Sequence, residues 1–165
     1  MQTILGANGQ IAQELARALK RTYTDDLRLV SRTPRPVNTG DQLVLADLLD
    51  AEQTLKAVEG SDIVYFTAGL PPDSGLWERQ FPSMLKNALD AAVATGAAFA
   101  YFDNTYMYPQ TAAPQTEDTA FAPAGRKARV RAEMARMVLD EMAAGRIAVT
   151  IARAPEFYGP GSTQS

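Results

Sequence analysis

The sequence predicts an α/β fold: a doubly wound parallel sheet of about six strands in the order 3-2-1-4-5-6, in one domain over residues 1–165. Three observations predict it. Six short apolar runs recur along the chain, separated by helical or polar segments. The longer intervening segments carry apolar residues at helical spacing, as crossover helices do. A glycine turn, Gly6-Ala7-Asn8-Gly9-Gln10-Ile11-Ala12, joins the first apolar run to the first helix.

The first strand is Thr3-Ile4-Leu5. The helix after it sets Ile11, Leu15, Ala18 and Leu19 at i, i+4, i+7 and i+8, which makes one apolar face. A polar turn leads to the second strand, 27–30. Ser31-Arg32-Thr33-Pro34-Arg35-Pro36 follows, a loop stiffened by two prolines. The third strand covers 42–46 and ends at Asp47. A short helix spans 50–58, with Gly60 as its stop. The fourth strand, 62–67, is nearly all apolar, the pattern of a strand buried on both faces. Ala68-Gly69-Leu70-Pro71-Pro72 is a loop. The next helix covers 76–95, with Phe81, Leu85, Ala88, Leu89 and Ala92 on one face. Pro82 lies near its first turn, where proline is tolerated. The fifth strand is 97–102. A long polar loop, 103–123, is rich in Thr, Pro and Tyr, and loops of that length are commonly functional or disordered. The last helix, 124–144, turns Val130, Met134, Met137, Val138 and Glu141 inward. The sixth strand is 147–152.

Each small residue of the glycine turn has a mechanical task. Gly6 lets the chain leave the strand in a tight turn. Gly9 removes a side chain where a pyrophosphate would approach the backbone. Ala12 lets the helix sit close to the strand. The helix N-terminus offers unpaired N–H groups and a partial positive charge. Strand, glycine turn and helix in this order begin a dinucleotide-binding βαβ unit. The spacing is G-x-x-G-x-x-A, with Asn8 where the commoner G-x-G-x-x-G has its second glycine. The alternative is a strand-to-helix turn with no ligand, and the regular βα order weighs against it. In such sheets ligands lie beyond the carboxyl ends of the strands. Gly6, Arg32, Asp47, Thr67 to Gly69 and Asn104 stand at those ends.

Composition narrows the chemistry. Apolar residues make up 46% of the 165 and charged residues 21%, as in ordinary globular domains. A net charge of −3 gives no attraction to nucleic acid or an anionic membrane, and no apolar run is long enough to span a bilayer. No signal-peptide pattern opens the chain, so cytoplasm is the expected compartment. With no cysteine and no histidine, thiolate nucleophiles, histidine triads and metal sites built from either residue are excluded. Acid–base work falls to Tyr, Lys, Asp, Glu or a cofactor.

The chain resembles the short-chain dehydrogenase/reductase superfamily, in its NAD(P)-dependent epimerase/dehydratase branch of the extended or atypical kind. The residues that carry the resemblance are these, in order. Residues 4–12 resemble the branch's glycine motif, with Ala12 for the third glycine. Asp47-Leu48 resembles the pair that contacts adenine, and 64–69 resembles the fourth-strand end lining the cofactor cleft. Met107-Tyr108-Pro109 resembles Val-Tyr-Gly after strand five, and 116–123 the family's acidic loop. Residues 151–161, through Tyr158-Gly159-Pro160-Gly161, resemble the start of the substrate half. The resemblance implies a Rossmann-like fold, a nicotinamide cofactor and hydride transfer. It implies cofactor contacts from Gly6, Asn8, Gly9, Gln10, Ile11, Ser31, Arg32, Asp47, Leu48, Thr67, Ala68 and Gly69. It also implies that the substrate-binding C-terminal part is absent.

One departure bears on function. The family's Tyr-x-x-x-Lys pair, in which the lysine makes the tyrosine more acidic and holds the ribose, falls on Lys127 and Arg131. There is no tyrosine between Pro109 and Phe157, and Asn104 takes the catalytic Ser/Thr slot. Two functions stay open: an oxidoreductase or epimerase, or a catalytically silent NAD(P)-binding sensor or remnant. For the first, Tyr108 is the acid–base candidate, with Lys127 or Arg131 as the cation stabilising its phenolate and Asn104 polarising a carbonyl. Alternation from strand five sets Tyr106 and Tyr108 on one side; packing is the alternative role for both.

Other residues carry alternatives as well. Ser31-Arg32, with no acid nearby, points to the 2′-phosphate of NADP rather than to NAD; the alternative is a solvated arginine. Asp47 either accepts from the adenine amino group or is an N-cap or turn residue before the following helix. Arg126, Lys127, Arg129 and Arg131 crowd one helix start, which suits a phosphate or an acidic substrate, or else a solvated face. The substrate itself is not identified. A homodimer through the helices at 76–95 and 124–144 is expected, with an uncovered sheet edge at 147–152; a monomer is the alternative.

Overall fold

The structure is a computed structural model that describes residues 1–157. Six parallel strands form one sheet in the order β3-β2-β1-β4-β5-β6. They are β1 (Gln2–Leu5), β2 (Leu27–Ser31), β3 (Gln42–Leu45), β4 (Ile63–Phe66), β5 (Ala98–Asp103) and β6 (Val149–Arg153). The helices are α1 (Gln10–Thr22), α2 (Ala51–Val58), α3 (Ser74–Thr95) and α4 (Arg126–Ala143). The register runs Leu5 beside Val30 and Phe66, Phe66 beside Tyr101, and Asp103 beside Arg153. The strand order expected from the sequence is the one found.

Two cores flank the sheet. On one face Ala12, Ala16 and Leu19 of α1 cover Ile4, Leu27 and Leu29. The buried face of α1 therefore lies one residue round from the expected one: Ile11 and Leu15 are half-buried, and the small Ala12 and Ala16 meet the sheet. The other face carries the larger core. Val64, Phe66, Phe99 and Tyr101 pack there under Phe81, Leu85, Ala88 and Ala92 of α3 and Val130, Met134 and Val138 of α4. A third, small cluster joins Met107 and Tyr108 to Ala132 and Ala135 of α4.

Two expectations need correction, and β3 adds an exposed edge. β4 is not buried on both faces. Its burial alternates, because α1 covers only the β1–β2 half of that face and reaches Tyr65 at its margin. β3 is an exposed edge strand with Leu45 69% exposed, because the β2–β3 link is a loop and supplies no covering helix. Pro82 is interior to α3, which starts two residues earlier than expected, at Ser74. It has no N–H to donate to the Glu78 carbonyl.

Helix ends follow local chemistry. Asp50 caps α2 by accepting from the Gln53 N–H at 3.0 Å, and Asp73 caps α3 by accepting from the Leu76 N–H at 2.8 Å. Gly96 ends α3 in the left-handed region at φ 73°. Gly125, at φ 86°, turns the chain into α4. No described helix is long and apolar enough to cross a membrane.

Candidate functional site

The chain order switches between β1 and β4, and a cleft of about 780 Å³ opens there at the carboxyl ends of the strands. Gly6, Asn8, Gly9 and Gln10 form its floor. Ser31 and Arg32 from the end of β2, Asp47 and Leu48 from the end of β3, and Ala68 and Gly69 after β4 form its sides. Ten of the twelve residues expected to contact cofactor thus line one cleft. The other two do not line it. Ile11 is half-buried on α1. Thr67 spends its hydroxyl on the Leu5 carbonyl at 2.9 Å and so ties β4 to β1.

The glycine turn is built for close approach. Gly6 has φ 86°, and a Cβ there would meet the Ala68 Cα at 2.5 Å. The segment just after β4 therefore presses against the turn, and only glycine fits. A Cβ on Gly9 would meet only the Gly6 carbonyl, at 3.4 Å, and the Thr67 carbonyl, at 3.9 Å, so its outer side is open to the cleft. Helix α1 begins there with no side-chain cap and no acid in its first turn. An uncapped helix start facing an open glycine fits an anionic pyrophosphate.

The flanks fit the remaining groups of a dinucleotide. The Asn8 side chain donates to the Thr33 carbonyl at 2.9 Å, which binds the glycine turn to the β2 loop. Ser31 Oγ accepts from the Thr33 N–H at 3.2 Å and keeps its own proton available. Arg32 is exposed and has no carboxylate partner among the described residues. Asp47 Oδ1 accepts from the Leu49 N–H at 3.0 Å in a tight turn, and its Oδ2 has no protein donor among the described residues. The cap of α2 is Asp50, so Asp47 is not the capping residue.

The residues expected to carry catalysis lie outside this cleft. Tyr108 is 5% exposed, edge-on to Phe121, and its hydroxyl accepts from Arg153 Nη1 at 2.8 Å. It belongs to the third hydrophobic cluster and does not face the cleft. Tyr106 and Tyr108 do not share a side, because β5 stops at Asp103 and the chain turns. Tyr106 instead stacks on Trp77, and its hydroxyl donates to Glu156 at 2.6 Å. That carboxylate holds the Tyr106 phenol above its ordinary range. Asn104 Oδ1 accepts from the Tyr106 N–H at 3.1 Å. The Lys127 ammonium lies 5.0 Å from the Trp77 ring centre. The Arg131 guanidinium lies 5.0 Å from the same ring and 4.4 Å from that of Phe81.

Two groups of residues escaped the sequence. One is the α3 wall of the cleft, Gln80 and Met84, with Leu70 and Pro71 before it. The other is a buried polar chain at the ends of β5 and β6. Asp103, 2% exposed, accepts from Tyr101 at 3.1 Å, from the Asn104 N–H at 2.9 Å and from Arg153 Nε at 3.3 Å. Burial pushes its carboxyl above the usual carboxylate range, against the pull of Arg131 and Arg153. A signal for this cluster was present: an acid and an arginine close two neighbouring strands at the same level. The segment through Tyr158-Gly159-Pro160-Gly161 lies outside the described residues.

The family model for the NAD dependent epimerase/dehydratase family matches residues 3–165. The chain belongs to that family. A search of curated proteins finds no match. Among solved structures, the chain is similar to a short-chain dehydrogenase/reductase superfamily protein from Agrobacterium tumefaciens with bound NAD. The TM-score is 0.78 at 24% identity, covering 93% of this chain and 48% of that one. It is similar to the uronate dehydrogenase of Agrobacterium tumefaciens, with TM-score 0.78 at 19% identity and coverage of 90% and 57%. It is also similar to the UDP-N-acetylglucosamine 4-epimerase of Bacillus cereus, with TM-score 0.79 at 13% identity and coverage of 92% and 52%. The chain thus spans about half the length of these structures.

Proposed function

We propose that the cleft binds a nicotinamide dinucleotide and that the family-level chemistry is oxidoreductase or epimerase chemistry. The observation that carries this is the open, uncapped turn at Gly9, set at the switch point of a chain in this family. The N-terminus of α1 holds the pyrophosphate. Asp47 Oδ2 accepts from the adenine amino group. Ala68 and Gly69 leave room for the ring-bearing half of the ligand. A bound nicotinamide would supply hydride transfer. The test is titration of the chain with dinucleotide, set beside Gly9→Val; unchanged affinity in the folded variant would reject the cleft.

NADP is the proposed form. Among the described residues Arg32 is an unpaired cation at the cleft wall, and Ser31 beside it has a free hydroxyl proton. A charge-assisted contact is worth ~1.5–3 kcal/mol, or about tenfold and more in affinity. Arg32→Ala should weaken NADP by about that factor and leave NAD nearly unchanged. Equal wild-type affinities by calorimetry would end the preference. A homodimer and a cytoplasmic setting complete the proposal.

The second possibility, a chain that binds dinucleotide without turning over substrate, is favoured by the acid–base geometry. Lys127 and Arg131 hold the slots of the tyrosine and lysine, both against Trp77, and the Tyr108 hydroxyl is taken by Arg153.

A further inference from the structure

The turn that carries Asp47 into the cleft has little of its own to hold it. It leaves β3, an exposed edge strand, and leads into the short helix α2. The Asp50 N–H closes it by donating to the Asp47 carbonyl at 2.9 Å, so Leu48 and Leu49 are its two central residues. The Asp47 N–H donates to Gln53 Oε1 at 3.0 Å, and Asp47 Oδ1 accepts from the Leu49 N–H at 3.0 Å. Both bonds lie at the surface, where water competes for the same groups. Leu48 is held differently. It is buried in the larger core, and its carbonyl takes no part in the bond that closes the turn. A carbonyl withdrawn from water needs a donor. One comes from outside the turn: Asn87 Nδ2 on α3 donates to it at 2.9 Å from a half-buried position. Gln80 and Met84 of α3 line the cleft, and Asn87 lies at i+7 and i+3 from them. It therefore continues the same helix face just past the cleft wall.

We propose that Asn87 is the positioning residue for base recognition in the cleft: its bond to the Leu48 carbonyl sets the turn so that Asp47 Oδ2 meets the 6-amino group of adenine. The inference rests on the dinucleotide reading of the cleft. Asn87 is not among the residues lining the cleft, so it acts through Leu48 and then through Asp47, the next residue in the chain. Burial of the Leu48 side chain fixes the depth of the turn but not its rotation. A directed bond to the Leu48 carbonyl removes that freedom. Asp47 Oδ2 has no protein donor among the described residues, so its aim follows from the turn and from the one bond at Oδ1. A carboxylate accepts from an amino group and repels a carbonyl oxygen. A correctly aimed Asp47 therefore separates adenine from hypoxanthine, which carries a 6-oxo group in place of the amino group. A turn released from α3 loses this distinction, while the phosphate contacts at the glycine turn are untouched.

The experiment uses calorimetry on the 165-residue chain with two ligands, NADP and nicotinamide hypoxanthine dinucleotide phosphate. It compares wild type with Asn87→Ala and with Asn87→Asp, which keeps the shape of the side chain and removes its N–H. The wild type should prefer adenine by about tenfold or more. In each Asn87 variant NADP should weaken by most of that factor and the hypoxanthine ligand should hardly change, leaving a preference of about threefold or less. A residue that only stabilised the fold would weaken both ligands alike. In an Asp47→Ala background, Asn87→Ala should leave the preference where Asp47→Ala has already put it. An unchanged preference in a folded Asn87 variant overturns the proposal and leaves the cleft standing. So does a further loss of preference in the Asp47→Ala background. A wild type that binds the two ligands equally overturns it together with the Asp47 contact, but not the cleft. A wild type that binds neither removes the cleft and this inference together. Failure of both variants to fold, read by circular dichroism, also overturns it, since Asn87 would then hold the fold and not the base.

Discussion

Gly6 and Gly9 stand three residues apart and do different things. Gly6 adopts φ 86° and touches the backbone of Ala68, which a side chain cannot push aside. Gly6→Ala should therefore destabilise the fold, by about 1–3 kcal/mol for overpacking and about 1–3 kcal/mol for the left-handed backbone. Gly9 has φ −70° and only ordinary contacts for an added Cβ. Gly9→Val should unfold at a denaturant concentration close to wild type and lose measurable dinucleotide binding. Urea curves and a titration on both variants check the pair. Equal destabilisation in the two, or retained binding in Gly9→Val, contradicts it. The turn was legible because it is local: spacing and small residues say what the backbone must do. The Ala68 wall was not, because it arrives from the segment after β4, about sixty residues further along the chain. The placement of Tyr108 was hidden for a related reason. Its distance from β5 is clear in the sequence, but the direction of its side chain depends on a turn and on Arg153.

At the scale of elements, the parallel order was legible because six apolar runs alternate with amphipathic segments. Boundaries shifted where polar capping residues decide them. Asp50 and Asp73 each accept a backbone N–H at a helix start, which holds both carboxyls below the usual range. A depressed folded value means a stabilising contribution that is full above the ordinary carboxylate range and lost as pH falls through the lowered values. Asp103 has the opposite sign. Burial raises its carboxyl, so its contribution grows as pH falls toward the ordinary range. Replacing both caps, Asp50→Asn with Asp73→Asn, keeps acceptors at the helix starts and removes their titration. The double variant should lose less stability than wild type between neutral and acid pH, read from denaturation midpoints at each. An acid loss as large as wild type's would mean that the caps do not govern it. Asp103→Ala should cost more than the two cap replacements, about 3–5 kcal/mol, because it strands Arg131 and Arg153 without their buried anion.

At the scale of the whole molecule, the sheet positions two groups of residues side by side and keeps them separate. The cleft gathers the glycine turn with the ends of β2, β3 and β4, while the cations of α4 gather with the ends of β5 and β6. This division was only half legible. The first group follows from fold class alone. The second needs the register of Asp103 beside Arg153 and the packing of α4 over Trp77. The outward faces of α3 and α4 carry Lys86, Asp90, Arg129 and Glu133, whereas the exposed Leu43 and Leu45 lie on edge strand β3. Light scattering should give twice the chain mass if the proposed dimer forms, and a single chain mass would remove it.

The separation also decides what the 165 residues should do with a cofactor. Hydride chemistry on a carbonyl needs a proton donor within hydrogen-bond reach of the reacting oxygen. None of the four expected groups is among the residues lining the cleft: the Tyr108 hydroxyl is bound to Arg153, Asn104 Oδ1 to the Tyr106 N–H, and Lys127 and Arg131 lie over the Trp77 ring. Binding and turnover should therefore come apart in this chain. NADPH should quench or shift Trp77 emission saturably, since the indole is bonded to Pro71 at the cleft wall. Absorbance of the same NADPH should stay constant when simple aldehydes and ketones are added. Steady oxidation of NADPH under those conditions, abolished by Gly9→Val, would show that an acid–base group does reach the cleft. The first residue to replace would then be Tyr106, with Tyr106→Phe removing the one phenol at the exposed rim beside Trp77.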